Sequence, residues 1–393
     1  MIQLVEKDEN TTRTYVQQLK QRCDEKDRKV DAIVADILEN VRNNGDKAVA
    51  EYTLKFDGSI PEQVEITKEQ MKELIKQCDA YFLEALERAA KNIHEFHSRQ
   101  KQQSWLDTKD NGVILGQRVR GLAKVGIYVP GGTAAYPSSV LMNAIPAKIA
   151  GVQEIVMVTP PGKDGKPNPD IMAAALVAGV DRVFLVGGAQ AVAALAYGTE
   201  TMPKVDKIVG PGNIFVATAK KHLYGTVDID MIAGPSEILI VADETANPKY
   251  LAADLMSQAE HDVLASAILL TTSSKIAEET IAQIYEQVEC LERKDIINKS
   301  LDDFGAVIVC DTMDEAIEFA NDLAPEHLEV CVANPLEYIG RLDNAGSLFL
   351  GNYSPEPLGD YYAGPNHVLP TSGTARFFSP LNVDDFLKKT SII

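Results

Sequence analysis

No run of about 18 uninterrupted apolar residues occurs in this chain, which argues against a membrane-spanning helix. The N-terminus, MIQLVEKDENTTR, lacks a basic region followed by an apolar one, so no secretory signal is legible. Cysteine is sparse and odd in number. Cys23, Cys78, Cys290, Cys310 and Cys331 are scattered, and none forms a CxxC pair. A disulfide framework and a thiolate zinc knot are both poorly supported. Positive charge is short as well: 38 Lys and Arg stand against 57 Asp and Glu, a net charge of −19, which weighs against nucleic acid and anionic membranes as partners. A soluble cytoplasmic protein is expected. There is neither a short-period repeat nor a low-complexity linker. At 393 residues the chain can bury about three quarters of its unfolded surface and exceeds one comfortable core, so two main domains are expected.

What is present divides by pattern. Residues 1–120 read as mainly helical, with apolar residues at three- and four-residue spacing over Val30–Asn43 and Lys68–His97. From residue 124, short β-branched runs alternate with Ala-rich helical segments. Strands are predicted at 124–129, 154–158, 182–186 and 207–209. A second alternating block predicts strands at 237–241, 265–270, 306–309, 328–332 and 347–350. The spacing suits βαβ units, and hence two parallel α/β sheets with a boundary near the Ala233-Gly234-Pro235-Ser236 turn.

Histidine is rare, with six in the chain, and His261, His327 and His367 lie in stretches dense with Gly, Pro and acid. Glu326 beside His327 is the best candidate for an acid/base pair, because imidazole titrates nearest physiological pH and a buried Glu can be tuned towards it. Pro325 disfavours helix at Ala324 and predicts a stiff corner between a helix and a strand. The usual dinucleotide fingerprint is incomplete: Gly210-Pro211-Gly212 opens a turn, but Phe215 stands where a third glycine would. A plain tight turn is the alternative. Gln258 and His261, three apart in a predicted helix, leave from one face, although such pairs are commonly solvated surface. Asp360 and His367 fall in the turn-rich run 354–371, suited to a loop over a pocket. His94, His97 and His222 read as surface residues.

Five blocks carry a resemblance: GGTAAYPSSV (131–140), VGPGN (209–213), AGPSE (233–237), LMSQAEH (255–261) and AGPNHVLPT (363–371), with Pro325-Glu326-His327 between the last two. In this order they resemble the histidinol dehydrogenase family over nearly the whole chain. The resemblance implies NAD contacts at Tyr128, Gln190 and Asn213, and zinc ligands at Gln258, His261 and Asp360. It also implies substrate contacts at Ser236, Gln258, His261, His327, Asp360 and His367, with Glu326 and His327 catalytic. The reaction implied is oxidation of L-histidinol to L-histidine in two NAD-dependent steps through bound histidinaldehyde, in a homodimer with one Zn²⁺ per subunit.

The same resemblance implies a helical arm over 1–25, a discontinuous α/β domain of 26–127 plus 237–380, and an inserted α/β domain of 128–236. Residues 381–393 would begin a small helical C-terminal domain, which in the family supplies a further zinc-binding His and a substrate-binding Glu; here no His follows His367 and no Glu follows Glu356. With those two ligands without counterparts, a dehydrogenase for another small polar alcohol and a non-catalytic NAD-binding dimer are the competing readings.

Overall fold

The computed structural model of the chain describes residues 2–5, 19, 27–131 and 136–393. They divide into two compact units. The first takes the described part of 1–26 with Ala233–Asp360 and Leu369–Pro380; the second takes Asp27–Ile232, Tyr361–Val368 and Leu381–Ile393.

In the second unit a six-stranded sheet runs in the order Glu65–Ile66, Arg182–Leu185, Glu154–Thr159, Lys124–Tyr128, Lys207–Val209, Asp228–Ile229. Only the edge strand Glu65–Ile66 is antiparallel to its neighbour. Taken in chain order, the five parallel strands lie 3-2-1-4-5, so the winding reverses between Lys124–Tyr128 and Lys207–Val209. The strands are covered on both faces and therefore read as almost continuous apolar runs. Val125, Ile127, Ile155 and Met157 pack with helices Pro137–Ala150 and Pro169–Val177. The alternate residues Val156, Val158, Phe184 and Ile208 pack with helices Gly188–Tyr197 and Ile214–Leu223.

The first unit repeats this winding. Its sheet runs Gln3–Val5, Gly305–Val309, Ser266–Thr271, Glu237–Ala242, His327–Cys331, Ser347–Leu350, all parallel. Ile238, Ile240, Leu269 and Val307 face helices Pro248–Ala259, Ser274–Val288 and Lys294–Phe304. Leu239, Val241, Ile268 and Ile308 face helix Met313–Leu323.

Several expectations change. Residues 27–127 group with 128–232 rather than with 237–380. Glu65–Ile66 completes the second unit's sheet, helix Asp27–Asp57 adds Val34, Ile37 and Leu38 to one of its cores, and helix Ala80–Ser98 adds Leu86, Ala90 and Ile93 to the other. Of the helical arm expected over 1–25, Gln3–Val5 is a strand, and apart from Ile2 and the helical Leu19 the rest lies outside the described residues. The predicted helix Lys68–His97 is two, because Asp79 accepts from the amides of Tyr81 and Phe82 and starts a new one. Residues 381–393 do not begin a separate helical domain. Leu387–Ile392 pairs antiparallel with Ile114–Gly121, which also pairs with Trp105–Thr108, and Phe386 is fully buried in the second unit.

His97 also departs from expectation. It continues the buried stripe Leu86, Ala90, Ile93 of its helix and is completely buried, with Nδ1 2.7 Å from Gln100 Oε1 and the ring edge-on to Phe96. The period of that stripe was the signal that placed it inside.

One buried ion pair fixes a turn. Lys220 and Asp230, with side chains 4% and 1% exposed, pair directly, and both hold Gly210. Asp230 Oδ2 accepts the Gly210 amide at 2.8 Å, and Lys220 Nζ donates to the Gly210 carbonyl at 3.0 Å. Gly210 has φ +110°, and a Cβ there would lie 2.1 Å from the Tyr128 carbonyl oxygen.

Two predictions follow from these contacts. Lys220→Met, which strands a buried carboxylate, should cost about 3–5 kcal/mol in urea unfolding, with part of the loss recovered in Lys220→Met/Asp230→Asn; additive losses would show that the pair is not coupled. Burial holds the His97 imidazole below its ordinary value. The unfolded chain therefore takes up this proton first, and stability should fall as pH drops below about 6.5 towards the depressed folded value. His97→Leu should lose less stability than the parent between neutral and mildly acidic pH, and equal losses would exclude His97 as a source of acid sensitivity.

Candidate active site and cofactor cavity

The titratable cluster lies at the N-terminal edge of the first unit's sheet. Helix Met313–Leu323 ends at Ala324, which takes a left-handed conformation (φ 52°), and after Pro325 and Glu326 the strand begins at His327. The predicted stiff corner is therefore present. Parallel pairing sets His327 opposite Ile238 and Ser347. Glu326 thereby reaches the preceding residue of the neighbouring strand, and its Oε2 accepts the Glu237 amide at 3.0 Å.

His327, 2% exposed, is held at both ring nitrogens. Nδ1 lies 2.7 Å from Gln258 Nε2 and 3.0 Å from the Glu237 carbonyl oxygen, while Nε2 lies 3.1 Å from Asp360 Oδ1. In the neutral ring, Gln258 donates to Nδ1 and Nε2–H donates to Asp360. In the protonated ring, Nδ1–H donates to Glu237 instead. The imidazole has a partner for either proton count, as an acid/base group requires.

Three carboxylates surround this ring. Glu326 Oε2 is 3.6 Å from Nδ1, and Glu356 Oε1 is 3.9 Å and Asp360 Oδ1 3.1 Å from Nε2. Burial alone would push the imidazole down, but the charges of Glu326, Asp360 and Glu356 outweigh it and push His327 up to about 10. Burial pushes Glu326 up to about 8, opposed by His327 and the Glu237 amide. Glu356 rises to about 8, again through burial first, with Asp360 adding to it. Glu356 is anchored from two sides: Ser257 Oγ donates to its Oε2 at 3.0 Å, and its amide donates to buried Glu329 at 2.9 Å.

Gln258, 1% exposed, is not surface. It occupies the last turn of helix Pro248–Ala259, and His261 lies just past that helix, so the two do not share a regular helical face as the spacing predicts. His261 is half-buried. Burial holds it below its usual value, against the neighbouring charges of Asp360 and Glu260. Ser236 directly precedes strand Glu237–Ala242 at the same sheet edge, and its carbonyl accepts the Ser266 amide. His367 is carried by the second unit, with its ring edge-on to Tyr361.

An excess of carboxylate over imidazole, gathered and buried, fits a divalent cation. Ligand atoms of His327, Glu356 and Asp360 lie within 4.8 Å of one another, and nitrogen and oxygen donors suit zinc. Glu356 was not singled out from the sequence. Its signal, an acid four residues before Asp360 in the same turn-rich run, does not distinguish it from solvated acids.

In the second unit, Tyr128, Gln190 and Asn213 line one cavity of about 530 Å³. It opens beyond the C-terminal ends of the strands at the winding reversal, where such sheets bind ligands. The Gly188 amide, at the start of helix Gly188–Tyr197, donates to the Tyr128 hydroxyl at 3.0 Å. Asn213 caps the next helix, accepting from the amides of Phe215 and Val216. Asn213 is therefore a helix-start residue as well as part of the cavity wall. Gln190 is buried, and among the described residues neither polar atom of its side chain has a partner. An orphaned buried amide in a cavity wall suits a polar ligand.

A family model for histidinol dehydrogenase matches residues 20–393. The chain is 61% identical over 379 residues to histidinol dehydrogenase of Clostridium acetobutylicum, an alignment covering 96% of this chain and 88% of that one. It is 57% identical over 364 residues to the Listeria monocytogenes serovar 1/2a enzyme of the same name, covering 93% and 85% respectively. The crystal structure of histidinol dehydrogenase from Elizabethkingia anophelis superposes with a TM-score of 0.94 at 39% identity, covering all of this chain and 90% of that one. No helix among the described residues is long and apolar enough to cross a membrane. The chain belongs to the histidinol dehydrogenase family, the NAD- and zinc-dependent oxidoreductases of histidine biosynthesis.

Proposed function

We propose that His327 and Glu326 divide the proton transfers of the four-electron oxidation of L-histidinol to L-histidine. The carrying observation is the imidazole at the start of strand His327–Cys331, bound at both nitrogens and flanked by a carboxylate that the neighbouring strand's amide orients. In its neutral form, with Gln258 donating to Nδ1, His327 takes the alcohol proton in the first oxidation. Glu326, in a desolvated setting that raises its basicity, activates water at the aldehyde carbon for the second. Keeping the aldehyde in a closed site protects it from leakage between steps.

Gln258, His261 and Asp360 hold zinc in this reading, and Ser236 and His367 contact substrate. Bound there, zinc would supply orientation of the substrate, and NAD would supply the hydride acceptor. Glu356 completes the carboxylate wall around His327. Tyr128, Gln190 and Asn213 bind NAD. A homodimer in the cytoplasm fits the family resemblance and the acidic charge, and the four cysteines among the described residues are all free thiols.

His327→Asn should lower NADH formation from L-histidinol by about 10²–10⁴-fold. Glu326→Gln should spare that first hydride transfer and slow oxidation of supplied histidinaldehyde by a similar factor. Parent-rate aldehyde oxidation by Glu326→Gln would refute this division of labour. Zinc per chain after dialysis decides between the two sets of ligands: His261→Ala should lose the metal and Glu356→Gln should keep it. The reverse pattern would assign zinc to His327, Glu356 and Asp360.

A further inference from the structure

The cavity that holds Tyr128, Gln190 and Asn213 also holds a carboxylate with no assigned role. Asp57 is the acid among its described lining residues, and its Oδ2 is buried without a partner among the described residues. It ends helix Asp27–Asp57, where a negative charge opposes the helix dipole, and burial raises its pKa. Asp57 and Tyr128 line the same cavity. A half-buried carboxylate kept at an unfavourable helix end, with Oδ2 unpartnered among the described residues, serves no stability purpose that its contacts reveal.

The position usually given to the ribose-binding acid is vacant of carboxylate. In doubly wound nucleotide folds that acid follows the second strand. Here the second strand, Glu154–Thr159, runs into Pro160, which itself lines the cavity. We propose that Asp57 accepts hydrogen bonds from the adenosine ribose diol of NAD and rejects the 2′-phosphorylated cofactor. The inference rests on the reading of this cavity as the NAD site. It supplies from a helix end the function that the usual strand end cannot. Lys55, the cation of the same wall, has Nζ 5.4 Å from the Phe56 ring centroid and 6.0 Å from that of Tyr52, a placement that occupies its charge on the rings rather than on a phosphate.

The test is calorimetric titration of the full chain with NAD⁺, NADP⁺ and 2′-deoxy-NAD⁺, with no substrate present. The parent should bind 2′-deoxy-NAD⁺ about 10-fold or more weaker than NAD⁺, the loss expected for one hydrogen bond to a charged acceptor, and NADP⁺ weaker still. Asp57→Asn should shrink the NAD⁺-to-NADP⁺ ratio by about 10-fold or more and erase most of the 2′-deoxy penalty. Equal parent affinity for NAD⁺ and its 2′-deoxy form, or parent preference for NADP⁺, would overturn the proposal without any substitution. So would an unchanged ratio in Asp57→Asn. Gln190→Leu separates the two levels. If it weakens NAD⁺ binding while Asp57→Asn leaves the ratio alone, the cavity reading stands and the Asp57 inference falls. If Gln190→Leu binds NAD⁺ as the parent does, the cavity reading falls and the Asp57 inference with it.

Discussion

The register between strands Glu237–Ala242 and His327–Cys331 is the constraint from which the geometry around His327 derives. Because Ile238 pairs with His327, the amide and carbonyl of Glu237 come level with Glu326 and His327. The amide takes Glu326 and the carbonyl meets His327, so two main-chain groups of one strand orient two titratable side chains of the next. Side chains alternate along a strand, and a slip of one residue would turn both away. The surrounding apolar residues forbid that slip. Ile238, Ile240 and Ala242 are locked into one core while Leu239 and Val241 are locked into the other. The geometry of this candidate site is thus inherited from packing that has no chemistry of its own.

The two sheets share a winding order and use opposite edges. In the second unit the cavity lies beyond the C-terminal strand ends, at the winding reversal, as open α/β sheets ordinarily have it. In the first unit the carboxylates and imidazole gather at the N-terminal strand ends instead. Helices that return antiparallel to the strands bring their own C-termini to that edge, which is how Gln258 and His261 arrive there. Negative partial charge at a helix C-terminus favours cations and disfavours anions. The His327 cluster, whose donors suit a cation, lies at the edge that this charge favours, and the cavity lies at the edge where helix N-termini favour an anion.

Much of this was legible in the sequence, because strands covered on both faces announce themselves as short apolar runs. Nine strands predicted from residue 124 onward appear within a residue or so of their expected bounds. Pro325 likewise marked its corner. Tertiary decisions were less visible. Trp105–Thr108 is wholly exposed and pairs at an edge, so no alternation of burial betrayed it. The partner of Ile114–Gly121 lies at the far end of the chain, and so does the reason that 381–393 joins the second unit. The grouping of 27–127 depends on a two-residue strand and on helix packing, neither of which periodicity encodes. At the site, the residue types were readable, but the convergence of Glu356 on His327 arises from a loop path that pattern does not determine.

Ala324 carries a wider implication. Its left-handed backbone, immediately ahead of a proline, costs about 1–2 kcal/mol for a residue with a β-carbon, and that cost is met within three positions of the buried His327 imidazole. The tolerance of this position is therefore dictated by backbone shape. Glycine and asparagine can enter it, and branched residues cannot. Divergence of sequence next to Glu326 and His327 is in this way restricted by backbone shape at Ala324, and a chain could lose the placement of this pair with both side chains still present.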